Sequence, residues 1–262
     1  MSLSKTIARI VLNILFFGDA HRSAGIRPTY LPNSKLTTTE LDWTGRNRFK
    51  VLGFFTQWSW LLLGYSFLAS GSIALLASYL DRNDTMEHSK SMLLRSALLT
   101  FEVSAPTSFL VAAAVTYALW PVALKAKGPA GTVGFKRVTS LMQHNANVLF
   151  VLCEVCLLGG LPVKMSHAAV GQIYGMIYIV FSWFMMTRWK PSHGPVALYF
   201  FVDTTLGAKT TIMLMVLAIV LLLSHLFFAC FEDALMLYFD GGIIARVVSM
   251  ILALGVLCRL RD

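Results

Sequence analysis

Polar side chains recur at helical spacing along one apolar stretch of the sequence. Ser140, His144, Asn147 and Glu154 are separated by four, three and seven residues, so an α-helix would carry them on one stripe. The imidazole of His144 could serve as a general base. A polar side chain in hydrocarbon costs a few kcal/mol, so the stripe indicates either a site inside a helix bundle or an interhelical hydrogen-bond seam.

A second candidate group stands near the start of another apolar stretch. Thr56, Gln57 and Ser59 lie there among aromatic residues. A threonine hydroxyl is a weak nucleophile unless an adjacent base takes its proton. In a membrane helix it commonly bonds its own backbone, so Thr56 alone carries little functional weight.

The elements that must position these side chains are those of a membrane protein. Of the 262 residues, 56% are hydrophobic and 13% are charged, and the mean hydropathy is +0.68. Soluble domains carry about a quarter charged residues. The apolar segments also reach the roughly 20 residues that a helix needs to cross a bilayer. The sequence therefore predicts an all-α, polytopic transmembrane helical bundle.

Charged residues divide the chain into six apolar segments, which we take as six predicted spans. They are Val51–Tyr79, Ala97–Pro121, Thr139–Leu161, His167–Thr187, Thr210–Cys230 and Gly241–Cys258. The last segment is the weakest because it has only 18 residues and contains Arg246, and a re-entrant or interfacial helix stays open there.

The remaining residues, 1–50, form a predicted cytoplasmic or interfacial N-terminal extension to the transmembrane domain at 51–262. Within the extension, the short apolar run Ile10–Phe17 is more typical of an interfacial amphipathic helix than of a signal peptide. A seventh, imperfect span at this run stays open.

Lysine and arginine residues predict the orientation, because cytoplasmic loops are enriched in them. With the N-terminus inside, seventeen fall on the inner side and five on the outer side, namely Arg82, Lys90, Arg95, Lys164 and Arg246. Six spans then leave both termini cytoplasmic. The formal charge of +9 reflects this orientation and attraction to an anionic leaflet, so membrane lipids are expected partners and nucleic acid is not.

This orientation brings the two candidate groups to one depth. Thr56 and His144 each lie five residues into a span that runs outward from the cytoplasm. At 1.5 Å per residue, both are about 7–8 Å below the inner boundary. The two side chains could therefore face each other across the bundle.

Two stretches around these residues resemble the androgen-induced-gene family of multi-pass membrane threonine hydrolases, which are related to the rolling stone proteins. Phe49–Trp58 is similar to the family's aromatic, threonine-containing start of a span. His144–Glu154 is similar to its histidine followed ten residues later by a glutamate. The order, the separation of 88 residues and the six-span topology also agree with the family, and the likeness covers roughly residues 49–230. The extension at 1–50 departs from its compact members.

The resemblance implies hydrolysis of the ester bond in fatty acid esters of hydroxy fatty acids, taken from the bilayer. Carried over by motif, Thr56 is the nucleophile and His144 is the base that later returns the proton to the leaving hydroxy acid. Asn147 is a supporting candidate, on spacing alone, for orienting His144 or holding the oxyanion. Such chemistry requires no cofactor or metal. The family also implies an endomembrane, such as the endoplasmic reticulum, or the plasma membrane.

Two other function classes stay open. A non-enzymatic multi-pass protein with a structural or signalling role, as rolling stone relatives suggest, would use the polar stripe only to lock helices together. A transporter would be expected to show an inverted repeat or paired broken helices, and the sequence shows neither.

Other polar and aromatic residues are interpreted structurally. Glu102, Glu154 and Arg246 fall in the outer halves of their spans, where a buried carboxylate paired with the arginine is expected. The run Val196–Val202 is too short to span, and it is predicted to lie in the interface or to re-enter. Headgroup anchors are expected at Trp189, Tyr199 and Phe200. The four cysteines lie in or at the ends of apolar spans and are expected to be unpaired.

Overall fold

The structure is a computed structural model that describes residues 53–79, 87–159, 161–189, 195–239 and 242–259. The N-terminal extension, including Ile10–Phe17, lies outside the described residues. Every regular element within those ranges is a helix, which confirms the all-α prediction. Five helices are long and apolar enough to cross a membrane, so the protein is membrane-integral. These spans are Phe55–Leu76, Ser91–Lys125, Val138–Leu158, Met165–Met185 and Ala208–Phe231.

The sixth predicted span forms a shorter helix, Ile243–Leu257. Its 15 residues rise about 22 Å, which is less than the roughly 30 Å of a hydrocarbon core. The part of the chain that the structure describes therefore has five helices of spanning length, and a short apolar helix where the sequence predicts a sixth span. Arg246 in this helix donates hydrogen bonds to the carbonyls of Val155 and Cys156, at 3.5 and 3.4 Å, and so joins it to the third span.

The second span is one long rod with a local change of helical pitch. Helix Glu87–Ala113 passes through a wide π turn, Ala114–Leu119, into helix Trp120–Lys127. The π turn ends two residues before Pro121, which has no N–H and cannot complete an α-helical hydrogen bond. A short helix, Pro129–Thr132, follows and leads toward the third span.

Two further π turns interrupt the third span. It consists of Val138–Leu141, the π turn Met142–Ala146, the helix Asn147–Cys153 and the π turn Glu154–Leu158. The fourth span enters through a 3-10 turn, Met165–His167, and continues as helix Ala168–Met185. Two 3-10 turns, Phe200–Val202 and Thr204–Leu206, precede the last long helix, Ala208–Phe239.

The first three spans pack together as the core of the bundle. Fully buried apolar side chains from each span meet there, including Leu63, Phe101 and Val151. A polar seam joins the first two spans, where the hydroxyls of Ser59 and Thr107 are hydrogen-bonded at 2.9 Å. Buried apolar contacts and the hydrogen bond between Ser59 and Thr107 therefore both stabilise this part of the bundle.

The fourth and fifth spans are much less enclosed by protein. Only 17% and 22% of their most apolar windows is buried, compared with 50–56% in the first three spans. Large apolar side chains on these two helices are consequently exposed, among them Ile173, Ile177, Val180, Ile212 and Val216. Such a surface suits lipid, because hydrocarbon tails are as apolar as the side chains.

The described residues on either side of 190–194 pack against the bundle, so the predicted anchoring role of Trp189 is wrong. Trp189 is 4% exposed and packs against buried Val196 and Leu198. A Cβ atom built on Gly53 would lie 2.6 Å from Trp189, so these residues cover the start of the first span at van der Waals contact. The amphipathic indole ring of Trp189 can pack inside the protein as well as in a headgroup region.

Glu102 does not take the arginine partner that the sequence suggested. Its carboxylate accepts hydrogen bonds from the backbone N–H of Lys164 at 2.9 Å and pairs with Nδ1 of His167 at 2.6 Å. The charge of Glu102 therefore ties the second span to the start of the fourth. All four cysteines are free, as expected.

Candidate functional site

A cavity of about 190 Å³ lies at one end of the bundle, and all five spans contribute to its wall. Most of the wall is apolar, with Leu110, Val115, Met176, Leu214 and Leu221 as examples. The polar side chains that line it are those of Thr56, Gln57, Arg137, Thr139, Ser140, Gln143, His144, Gln172, Tyr178 and Tyr199. The cavity is therefore an apolar chamber with a concentrated polar region.

Thr56 lies in this wall at the beginning of the first span. The helix starts at Phe55, so Thr56 is in its first turn and is 7% exposed. Backbone N–H groups of a first turn have no acceptor within the helix. Here the N–H groups of Gln57 and Trp58 donate hydrogen bonds to the carbonyl of Phe54, at 3.0 and 3.4 Å.

His144 lines the same cavity from the third span. It sits in the π turn Met142–Ala146, and its side chain is 6% exposed. Among the described residues, neither ring nitrogen of His144 has a hydrogen-bond partner, so Thr56 and His144 share a cavity without a direct bond between them. A buried imidazole with two unpaired nitrogens is costly, and a ligand in the cavity would remove that cost.

Asn147 and Glu154 lie in the third span away from this arrangement. Asn147 is fully buried, and its side-chain oxygen accepts a hydrogen bond from the N–H of Val148 at 2.7 Å. Because His144 has no described partner, Asn147 does not hold its ring. Glu154 is also fully buried and does not line the cavity. The structure therefore joins Ser140 and His144 at the cavity and separates them from the rest of the predicted stripe.

Tyr199 is a site residue for which the sequence suggested only an interfacial role. Its hydroxyl forms hydrogen-bonding interactions with the Thr56 side chain and with the backbone of Phe55 and Thr56. Burial raises the pKa of Tyr199 to about 12, against the opposing effect of these hydrogen bonds. The phenol is therefore protonated at neutral pH and keeps its donor. Residue spacing gives no signal for this contact, because Tyr199 and Thr56 are far apart in the chain.

An aromatic cluster fixes the turn that carries Thr56. The ring of Tyr178 lies 4.9 Å from that of Phe55 and 5.4 Å from that of Trp58, measured between centroids. The hydroxyl of Tyr178 donates a hydrogen bond to the Gly53 carbonyl at 2.7 Å. The fourth span thereby holds the start of the first span in place.

Metal ligands do not gather in the part of the chain that the structure describes. No group of three or more His, Cys, Asp or Glu side chains there is placed to hold a metal ion. The polar groups in the described wall of the cavity are hydroxyl, imidazole, amide and guanidinium groups.

Known proteins add no further assignment. Comparison of the chain with protein-family models, with curated proteins and with solved structures finds no match. The likeness to the androgen-induced-gene family thus stays a prediction from the motifs around Thr56 and His144.

Proposed function

We propose that the protein is an integral membrane hydrolase of lipid esters, with fatty acid esters of hydroxy fatty acids as the substrate class. The observation that carries this proposal is that Thr56 and His144, 88 residues apart in the sequence, line one largely apolar cavity. A nucleophile and a base need such proximity to act on one ester carbonyl. The apolar wall suits the acyl chains that flank the ester.

In the proposed reaction, His144 takes the proton of the Thr56 hydroxyl as the threonine oxygen attacks the ester carbonyl. The tetrahedral intermediate collapses, the C–O bond to the hydroxy acid breaks, and His144 returns the proton to the departing oxygen. Water then hydrolyses the acyl-Thr56 ester and restores the free hydroxyl. The first step requires Thr56 and a ring nitrogen of His144 to come within hydrogen-bond reach, directly or through one water.

One neighbouring residue supports the nucleophile in this mechanism. Tyr199 contacts Thr56 and acts as a positioning residue that keeps the hydroxyl in the cavity. Asn147 stays a predicted supporting residue, and its fixed contact with Val148 limits it to an indirect role.

Substrate entry would take place from the bilayer through the side formed by the fourth and fifth spans. Met176 lines the cavity and is 56% exposed, so this wall reaches the lipid-facing surface. A lipid ester that enters here displaces lipid rather than tightly packed side chains. An endomembrane or plasma-membrane location belongs to the same proposal.

The test is hydrolysis of a fatty acid ester of a hydroxy fatty acid by purified protein in lipid nanodiscs. We expect Thr56→Ala and His144→Gln each to lose at least about a hundredfold in turnover, the scale of nucleophile and base removal. Thr56→Ser keeps a hydroxyl and should retain measurable activity. Mass spectrometry should detect an acyl group on Thr56 in the wild type.

Matched controls come from the same residue types elsewhere in the bundle. Thr100 bonds the backbone of its own helix, and His225 is buried against the Lys164 carbonyl, and neither lines the cavity. Thr100→Ala and His225→Gln should therefore keep wild-type turnover per folded molecule. An inactive wild type, or activity that survives in both folded site variants, would favour the non-enzymatic alternative.

A further inference from the structure

The cavity that holds Thr56 and His144 has one permanently charged residue in its described wall. Arg137 precedes the third span, lines the cavity and is exposed. Among the described residues, no acidic side chain lines the cavity and no carboxylate makes an ion pair with Arg137. From the sequence alone, Arg137 is only one of the cations that predict the orientation of the chain in the membrane.

A second polar group near Arg137 lacks a partner. Ser140 is 5% exposed and lines the cavity, and its hydroxyl has no hydrogen-bond partner among the described residues. A buried hydroxyl without a partner costs free energy that a ligand oxygen would recover. Arg137 is the residue just before helix Val138–Leu141, which carries Ser140, and both residues line the same cavity.

The rest of the chamber is suited to a hydrocarbon chain. Apolar residues of the second, fourth and fifth spans line it, including Val111, Ile179 and Leu217. A ligand that matches the whole cavity therefore has an anionic oxygen group at one end and a long apolar chain.

We propose that Arg137 and Ser140 bind the carboxylate of a long-chain fatty acyl ligand whose chain occupies the apolar part of the cavity. Guanidinium groups match planar carboxylates with two parallel N–H donors, and Ser140 adds a third donor. The inference rests on the site of the proposed function, but it concerns binding and requires no hydrolysis. It makes Arg137 a specificity-determining residue that favours ligands with a free carboxylate over neutral lipids.

The experiment is a competition assay with a fluorescent fatty acid bound to the full chain in phosphatidylcholine nanodiscs. Hexadecanoic acid and hexadecan-1-ol are the two competitors, since they share a chain and differ in the head group. We expect the wild type to bind the acid at least about tenfold more tightly than the alcohol, the scale of a charge-assisted pair. Neither competitor contains an ester, so the assay reads binding whether or not the protein is a hydrolase.

Variants assign this preference to the proposed residues. Arg137→Gln should remove the preference for the acid and leave the affinity for the alcohol unchanged, which also reports a folded cavity. Arg137→Lys should restore part of it, because an ammonium keeps the charge without the planar donors. Ser140→Ala should weaken the acid several-fold.

The matched control is Lys125→Gln, which removes an exposed cation outside the cavity wall. It should keep the wild-type preference for the acid. An equal loss in Lys125→Gln would show a general effect of surface charge and overturn the proposal, as would a preference that survives Arg137→Gln. Displacement of the probe by phosphatidylglycerol as effectively as by the acid would assign Arg137 to lipid head groups instead.

Discussion

The Tyr178 hydroxyl in the fourth span donates a hydrogen bond to the carbonyl of Gly53, 2.7 Å away and just before the helix that carries Thr56. This bond connects one of the least enclosed helices to the backbone of the candidate site. Tyr178→Phe should therefore lower the free energy of unfolding by about 1 kcal/mol, the net value of a typical buried hydrogen bond. Thermal melting in detergent would measure it. Tyr65→Phe, which breaks an exposed bond to Ser96, should have a smaller effect, and equal effects would contradict the prediction.

Gly53 should tolerate no side chain. A Cβ atom there would lie 2.6 Å from Trp189 and 2.8 Å from Leu198, so Gly53→Ala must shift packed side chains. We expect a cost of about 1–3 kcal/mol, typical of overpacking. Gly171→Ala is the control, because nothing lies within 4 Å of its Cβ position and alanine favours a helix. Thermal melting should show a loss in the first variant alone.

The pair formed by Glu102 and His167 should be energetically coupled. The two side chains meet at 2.6 Å, with Glu102 buried and His167 partly exposed. A double-mutant cycle with Glu102→Gln and His167→Gln should give a coupling free energy of about 1 kcal/mol, since solvent weakens one side of the pair. Effects on unfolding that add within about 0.3 kcal/mol would mean that the contact contributes nothing.

Tyr199→Phe should lower lipid-ester turnover about tenfold, and the size of this loss should be the same at every pH from 6 to 9. Burial raises the pKa of Tyr199 to about 12, so the phenol keeps its proton throughout this range and its contribution does not titrate. The loss should appear in kcat rather than KM, because the hydroxyl positions Thr56 and not the acyl chain. A factor that changes between pH 6 and 9 would show that Tyr199 ionises there.

The short helix Ile243–Leu257 decides on which side the chain ends. If it crosses, both termini are cytoplasmic, as the lysine and arginine distribution predicts. Protease protection of terminal tags in sealed vesicles should therefore expose both tags on the same face. A protected C-terminal tag beside an accessible N-terminal tag would show that this helix does not cross.

Much of the fold could be predicted because the lengths of the apolar segments and the positions of the charged residues can be read directly from the sequence. The stripe on the third span was predicted less well, since its spacing assumed an uninterrupted α-helix. The π turn Met142–Ala146 adds a residue to one turn, and one residue corresponds to about 100° of rotation. Ser140 and His144 therefore line the cavity while Asn147 turns away. No propensity or period in the sequence marks such a turn.

The contact between Tyr199 and Thr56 was beyond prediction for a different reason. It depends on residues 196–202, which pack into the bundle, and short apolar runs have the same composition in an interface and in a protein interior. Arg137 presented the same difficulty. Its charge could be counted from the sequence, but the absence of a carboxylate beside it among the described residues could not.

The low burial of the fourth and fifth spans, 17% and 22%, makes the membrane a part of the site. These helices supply one side of the cavity, and most of their own neighbours are lipids. Their distance from the tightly packed first three spans must then respond to bilayer thickness and lateral pressure as well as to side-chain contacts. The width of the chamber is consequently a joint property of the chain and its host bilayer, and under the proposed function lipid composition should tune which acyl chains it accepts.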